Sequence, residues 1–335
     1  MGLQIGDIVP RKEVKFEELK GKIIAIDAFN AIYQFLSSVR QPDGTPLMDS
    51  QKRITSHLSG LFYRNVALLS EGIKLIYVFD GEYHPLKGKT HEIRQEAKDM
   101  AKEKYEDAKE EEDFDGMAKY SRGFIKLNSE MIRESKELLS SLGIAVMQAP
   151  GEGEMQCAEL VKNGQAYAVG SQDYDALAVG GNRLIQNLTL SRKRKTPNGF
   201  VYIAPEMIEY EKLLNELGVD ADQLICLAIL VGTDFNPGGV KGIGPKKALA
   251  LIREKKYPVH IFRAIEEKLD FNWQEVFEIF KRPNVSKDKV ESSNLDELKV
   301  KEILVNRHEF SAERVENQLL KLREIKKESA QKKLF

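Results

Sequence analysis

The chain alternates between short apolar runs that end near an acid and longer stretches whose apolar residues recur every three or four positions. Ile23-Ile24-Ala25-Ile26 leads into Asp27, and Ile73-Lys74-Leu75-Ile76-Tyr77-Val78-Phe79 leads into Asp80. Runs this short and this apolar predict strands buried on both faces, as in a parallel sheet. Similar runs at 144–147 and 166–171 precede Gly151-Glu152-Gly153-Glu154 and Asp173-Tyr174-Asp175. The remaining pattern predicts helices over 28–39, 54–69, 127–142, 154–163 and 222–231, then a mostly helical remainder at 245–255, 259–268, 273–280, 296–305 and 312–327. Gln41-Pro42-Asp43-Gly44-Thr45-Pro46 reads as a turn by its proline and glycine content. The expected fold class is α/β, with a mostly parallel central sheet flanked by helices.

From residue 82 to residue 123 the pattern changes to Lys, Glu and Ala with few large apolar residues. Such a stretch predicts a poorly buried helical excursion, or an element that orders when a polyanion arrives.

At 335 residues the chain exceeds the usual size of one domain. The acids run from Asp27 to Asp234, so the first two-thirds must nevertheless fold around one centre. A net charge of −1 gives no global signal for nucleic acid, so a DNA-binding surface must be local. Basic runs occur at Arg192-Lys193-Arg194-Lys195, at 241–247 and at 321–333, and an acidic one at Glu110-Glu111-Glu112-Asp113. Cys157 and Cys226 lie in separate apolar helical stretches and read as buried thiols of a reducing compartment. No run approaches the length of a membrane span and no signal segment opens the chain, so a soluble intracellular protein is expected. The five histidines are scattered, which disfavours zinc and Ser-His hydrolase chemistry.

Seven carboxylates carry the chemical signal: Asp27, Asp80, Glu152, Glu154, Asp173, Asp175 and Asp234. Strand ends of an open α/β sheet are where ligands gather. Two carboxylates about 4 Å apart repel by roughly 4 kcal/mol at an effective dielectric near 20, so a converging set must take up protons or bind hard cations. All-oxygen donors favour Mg²⁺ or Mn²⁺ over zinc, and two such ions can clamp a phosphodiester displacement. The plainer alternative for any one acid is a helix cap, but glycine or a small residue beside most of them leaves room for a ligand.

A second constellation, Gly242-Ile243-Gly244-Pro245-Lys246-Lys247-Ala248, stands between two apolar helical stretches, with proline suited to a first helical turn. It reads as a helix-hairpin-helix that takes phosphates on backbone N–H groups, with Lys246 and Lys247 adding charge. Held close to Asp234, such a grip would act as a ruler for cleavage position. Neither a P-loop nor a dinucleotide-binding glycine fingerprint is present.

Ile26-Asp27-Ala28, Val78-Phe79-Asp80-Gly81, Gly151-Glu152-Gly153-Glu154, Ser171-Gln172-Asp173-Tyr174-Asp175 and Gly232-Thr233-Asp234 occur in an order and spacing that closely resembles the archaeal and eukaryal flap endonucleases. The resemblance covers residue 1 to about residue 327. It implies a structure-specific nuclease that removes 5′ flaps from branched duplex DNA in replication and repair, with some 5′ to 3′ exonuclease activity. It also implies two Mg²⁺, replaceable by Mn²⁺, with Asp27, Asp80, Glu152 and Glu154 around one ion and Asp173, Asp175 and Asp234 around the other. Lys87 and Arg94 match a catalytic basic pair at the base of a helical arch, and Tyr33 matches an aromatic that stacks on an unpaired base. Gly2 would place its amine near the site, Arg192 and Lys193 would contact DNA, and a K⁺ ion would sit among backbone carbonyls at Gly242 and Gly244.

The implied organisation is a single nuclease domain over 1–327. It comprises an N-terminal region (1–81), the charged arch (82–123), an internal region (124–235), the helix-hairpin-helix (236–256) and C-terminal helices (257–327), followed by a flexible basic tail (328–335). The implied protein is a monomer, cytoplasmic in a prokaryote or nuclear in a eukaryote. Gln331-Lys332-Lys333-Leu334 begins like a sliding-clamp motif but lacks its pair of aromatics. Met155, Cys157 and Gly238-Gly239 depart from the family's usual residues without touching the acids. The alternatives are a related exonuclease or Holliday-junction resolvase, or a non-catalytic binder of branched DNA. A dehalogenase-type phosphatase fails, because Ala28-Phe29 follows Asp27 where a second aspartate is needed.

Overall fold

The computed structural model describes residues 3–331 except 42, 43, 112, 114, 115, 117, 118, 122, 125, 190–192, 197 and 198, and leaves the side chains of 193–196, 200 and 326–331 aside. Gly2 and Arg192 therefore lie outside the described residues, as does the tail from Lys332. Lys193 is described only as the first backbone position of a hairpin strand.

Among the described residues nine strands form two sheets: β1 (Lys12–Glu13), β2 (Ile23–Asp27), β3 (Lys74–Phe79), β4 (Ala145–Gln148), β5 (Ala168–Gly170), β6 (Arg183–Gln186), β7 (Lys193–Thr196), β8 (Gly199–Tyr202) and β9 (Glu206–Glu209). The main sheet has the order β1-β9-β6-β5-β2-β3-β4, and β7-β8 is a separate hairpin. Strands β6, β5, β2, β3 and β4 are mutually parallel, whereas β9 pairs antiparallel with both β6 and β1. The four strands expected from apolar runs thus lie side by side as β5-β2-β3-β4, with β4 at the edge of the sheet.

The period of two along each strand divides the interior. Ala25, Ile76, Val78 and Val169 face a core shared with the helices Gly153–Lys162 and Ala221–Val231. Ile24, Ile26, Leu75, Tyr77 and Phe79 face the opposite core, packed by Ala28–Ser38, Ser56–Ser70 and Ser129–Ser141. Cys157 and Cys226 are both buried free thiols in the first of these cores.

The charged stretch contributes the helix Gly88–Glu110, of which only Thr90 and Ala108 are buried. Two expected C-terminal helices are broken. The 259–268 prediction becomes Pro258–Arg263 and a 3-10 turn at Glu266–Lys268, and 296–305 becomes Glu297–Lys301 followed by a π segment, Glu302–Arg307. There Arg307 forks onto Glu137 and Glu302. Among the described residues no helix is long and apolar enough to cross a membrane.

Candidate active site

All seven acids line one cleft of about 630 Å³ at the carboxyl ends of the parallel strands, together with Tyr33, Lys87 and Arg94. Each arrives by a local rule. Asp27 ends β2 and caps the helix Ala28–Ser38, its Oδ1 accepting from the Asn30 N–H at 3.1 Å. Asp80 follows β3, and its Oδ1 accepts from the Gly153 N–H at 2.8 Å. A side chain at 153 would put Cβ 2.6 Å from that oxygen, and one at Gly81 would put Cβ 2.0 Å from the Ala149 carbonyl. Backbone contact therefore requires glycine at 81, whereas a side chain at 153 would displace the Asp80 carboxylate from the Gly153 N–H. Glu154 sits in the first turn of Gly153–Lys162 and accepts from the Ala176 N–H at 3.3 Å. Asp175 opens the short helix Asp175–Ala178 and accepts from the Leu3 N–H at 3.2 Å. Helix amino termini facing the cleft offset part of its negative charge.

The cations answer the rest. Lys87 pairs with Glu152 and lies 3.7 Å from Asp234, while Arg94 Nη2 is 2.8 Å from both Asp234 oxygens. Lys87 belongs to the 3-10 turn Pro85–Lys87 just before the arch helix rather than to the helix itself, and its ammonium is 5.2 Å from the centre of the Phe235 ring. Thr90 Oγ1 donates to the Asp234 carbonyl at 2.6 Å, fastening the base of the arch to the same residue.

Among the described residues Lys87 and Arg94 face seven acids, and the protonation equilibria record a surplus of negative charge. Burial first, and the Asp80 charge second, push Asp27 up to about 8. Burial and Asp173 push Asp175 to about 7, and burial with Glu152 pushes Asp80 to about 6. Burial and neighbouring carboxylates also raise Glu154 and Asp173. Asp234 differs: burial opposes its ionisation, but surrounding positive charge, Arg94 foremost and then Lys87, holds it below the ordinary range.

The donor set is all oxygen and charge-rich, which fits hard divalent cations. Among the described residues, no three acids, histidines or cysteines already form a closed metal cage. Lys87 meets Glu152 and Asp234, and Arg94 meets Asp234.

Sequence reasoning passed over Asn30. Its Nδ2 donates to Asp173 at 3.1 Å and its Oδ1 accepts from the Gln172 N–H at 3.3 Å, so it ties the ends of β2 and β5 together. The available signal was its position three residues after Asp27. The Leu3 N–H was also missed, and a backbone donor leaves no mark in a sequence. Tyr83, His91 and Phe235 line the cleft as well.

The hairpin lies beyond the cleft. Helices Ala221–Val231 and Pro245–Lys255 pack together, with Gly242 at φ +80° and Gly244 capping the second helix ahead of Pro245. Lys246 and Lys247 are exposed, and Lys247 donates to the Gly242 carbonyl at 3.2 Å.

A mostly parallel sheet pooling acids at its strand ends, bridged by a charged helix and followed by a helical hairpin, defines an XPG-type protein. Residues 4–101 match the XPG N-terminal domain and residues 143–234 the XPG I-region. The chain is 48% identical over 341 residues to Flap endonuclease 1 of Pyrococcus furiosus, covering 100% of this chain and 98% of that one. It also matches the solved flap endonuclease-1 from Methanococcus jannaschii, with a TM-score of 0.77 at 39% identity over 97% of this chain and 98% of that one. The catalytic core of Rad2 in complex with DNA substrate matches with a TM-score of 0.70 at 25% identity, over 93% and 96% of the two chains. The chain belongs to the flap endonuclease 1 family.

Proposed function

We propose that this chain cuts 5′ flaps from branched duplex DNA during replication and repair, with 5′ to 3′ exonuclease activity, using two Mg²⁺ for which Mn²⁺ can substitute. The observation that carries this is the gathering of all seven acids with Lys87, Arg94 and Tyr33 in one cleft. Asp27, Asp80, Glu152 and Glu154 would hold one ion, and Asp173, Asp175 and Asp234 the other. When bound, the ions supply the positive charge that the attacking and leaving oxygens of an in-line displacement need. Lys87 and Arg94, released from the acids, hold the non-bridging oxygens of the scissile phosphate as charge develops there. Tyr33, 41% exposed, offers a face to an unpaired base.

The hairpin takes the duplex by its phosphates, and Lys246 and Lys247 face solvent for that purpose. A K⁺ ion at Gly242 and Gly244 would have to take the Gly242 carbonyl over from Lys247. The DNA bound to the Rad2 core supports this class of partner. The reading extends to a monomeric single domain over 1–327 and to a sliding clamp as a partner of the tail.

An end-labelled double-flap substrate tests the proposal. Wild-type protein is expected to release the flap only with Mg²⁺, and Asp175→Ala to bind the substrate without cutting it. Undiminished cutting by Asp175→Ala would overturn the assignment, and preferred cutting of a four-way junction would move the chain to the resolvases.

A further inference from the structure

Two exposed tyrosines reach the cleft, and only Tyr33 has been given a task. Tyr83, 49% exposed, lies between β3 and the arch helix. Its ring meets that of His91 with centres 4.5 Å apart and planes at 76°. Tyr33 has its own partner on the arch, the Lys98 ammonium 5.7 Å from its ring centre. His91, Arg94 and Lys98 are spaced by three and four residues, so they share one face of the helix Gly88–Glu110. Seven residues separate His91 from Lys98, roughly 10 Å of helix rise. Arg94 lies between them and reaches Asp234. Along the arch axis, the two aromatic stations therefore bracket Arg94, which contacts Asp234.

We propose that Tyr83, braced by His91, is a stacking platform for an unpaired nucleobase beside the scissile phosphate, on the side opposite the base taken by Tyr33. The inference rests on the nuclease reading above. An edge-to-face neighbour fixes the orientation of the tyrosine ring while leaving a face free. A free aromatic face accepts any base, which suits an enzyme that reads branch structure rather than sequence. Arg94 between the stations sets the phosphate, and each ring then limits where the adjoining base can lie. The competing role is a purely internal one, in which Tyr83 packs on His91 only to anchor the base of the arch.

The test uses flap substrates with 2-aminopurine at each nucleotide flanking the cleavage site, bound in EDTA so that no turnover occurs. At one position Tyr83→Ala is expected to cut the fluorescence quench at least about twofold and to weaken binding about fivefold or more, with Tyr83→Phe restoring both. Tyr33→Ala is expected to act at the other position. Replacing the stacked base by an abasic residue should erase the difference between wild-type and Tyr83→Ala. Unchanged quench at every position, or an equal penalty on intact and abasic flaps, would overturn the platform. Failure of the wild-type protein to cut a double flap in Mg²⁺ would instead sink the nuclease reading beneath it.

Discussion

Asp27 shows one side chain doing two jobs that pull against each other. As a cap it profits from ionisation, because its oxygen accepts the Asn30 N–H. As a buried neighbour of Asp80 it resists ionisation and is pushed up to about 8. Asp175 and Asp80, at about 7 and 6, extend the same tension. The folded cleft therefore binds more protons than the unfolded chain at neutral pH, so stability falls as pH rises from the ordinary carboxylate range through these values. The metal-free protein is expected to lose several degrees of melting temperature between about pH 5 and about pH 8.5, and Mg²⁺ to restore them at the upper end. Calorimetric Mg²⁺ titrations near pH 7, in buffers of different ionisation enthalpy, are expected to show protons released on binding. A melting temperature flat across that window would contradict the crowding of the acids.

At the scale of elements, the hairpin between Ala221–Val231 and Pro245–Lys255 is a grip with two exposed lysines. Replacing Lys246 and Lys247 by alanine is expected to weaken duplex binding uniformly across sequences and to reduce the salt slope of log K by up to about 2, measured by anisotropy titrations at several ionic strengths. An unchanged slope would remove the grip from the phosphates. This hairpin and strands β2, β3, β4 and β5 were legible in the sequence, because a proline at a helix start and a short, largely apolar run are local signals. Strands β6 and β9 were not, since each has only two apolar residues between polar ends, Arg183 and Gln186 or Glu206 and Glu209. Their pairing is set by each other's backbone. The helix Tyr210–Leu217, stopped by Gly218 at φ +63°, was missed although Tyr210, Leu213, Leu214 and Leu217 share one helical face. Within the cleft the acids could be read from their strand ends, whereas Asn30 and the Leu3 N–H acquire meaning only when β2 and β5 lie side by side.

For the molecule as a whole, stability is distributed unevenly. The arch helix buries only Thr90 and Ala108 and is tied to the cleft through Thr90 and Arg94, both on Asp234. Backbone hydrogen bonds so exposed open at low free-energy cost. Amides over 92–107 are expected to exchange with deuterium far faster than those of β2 and β3, and to slow when flap DNA is added. Equal protection of arch and sheet would mean that the arch is held by contacts beyond its base.

The interleaved order β5-β2-β3-β4 has a topological corollary. Two of those strands precede the arch in the chain and two follow it, yet the later pair flanks the earlier pair. A peptide-bond break within the arch would leave two fragments locked together like the teeth of a zip. Neither could form the sheet alone, and each would still present its share of the carboxylates.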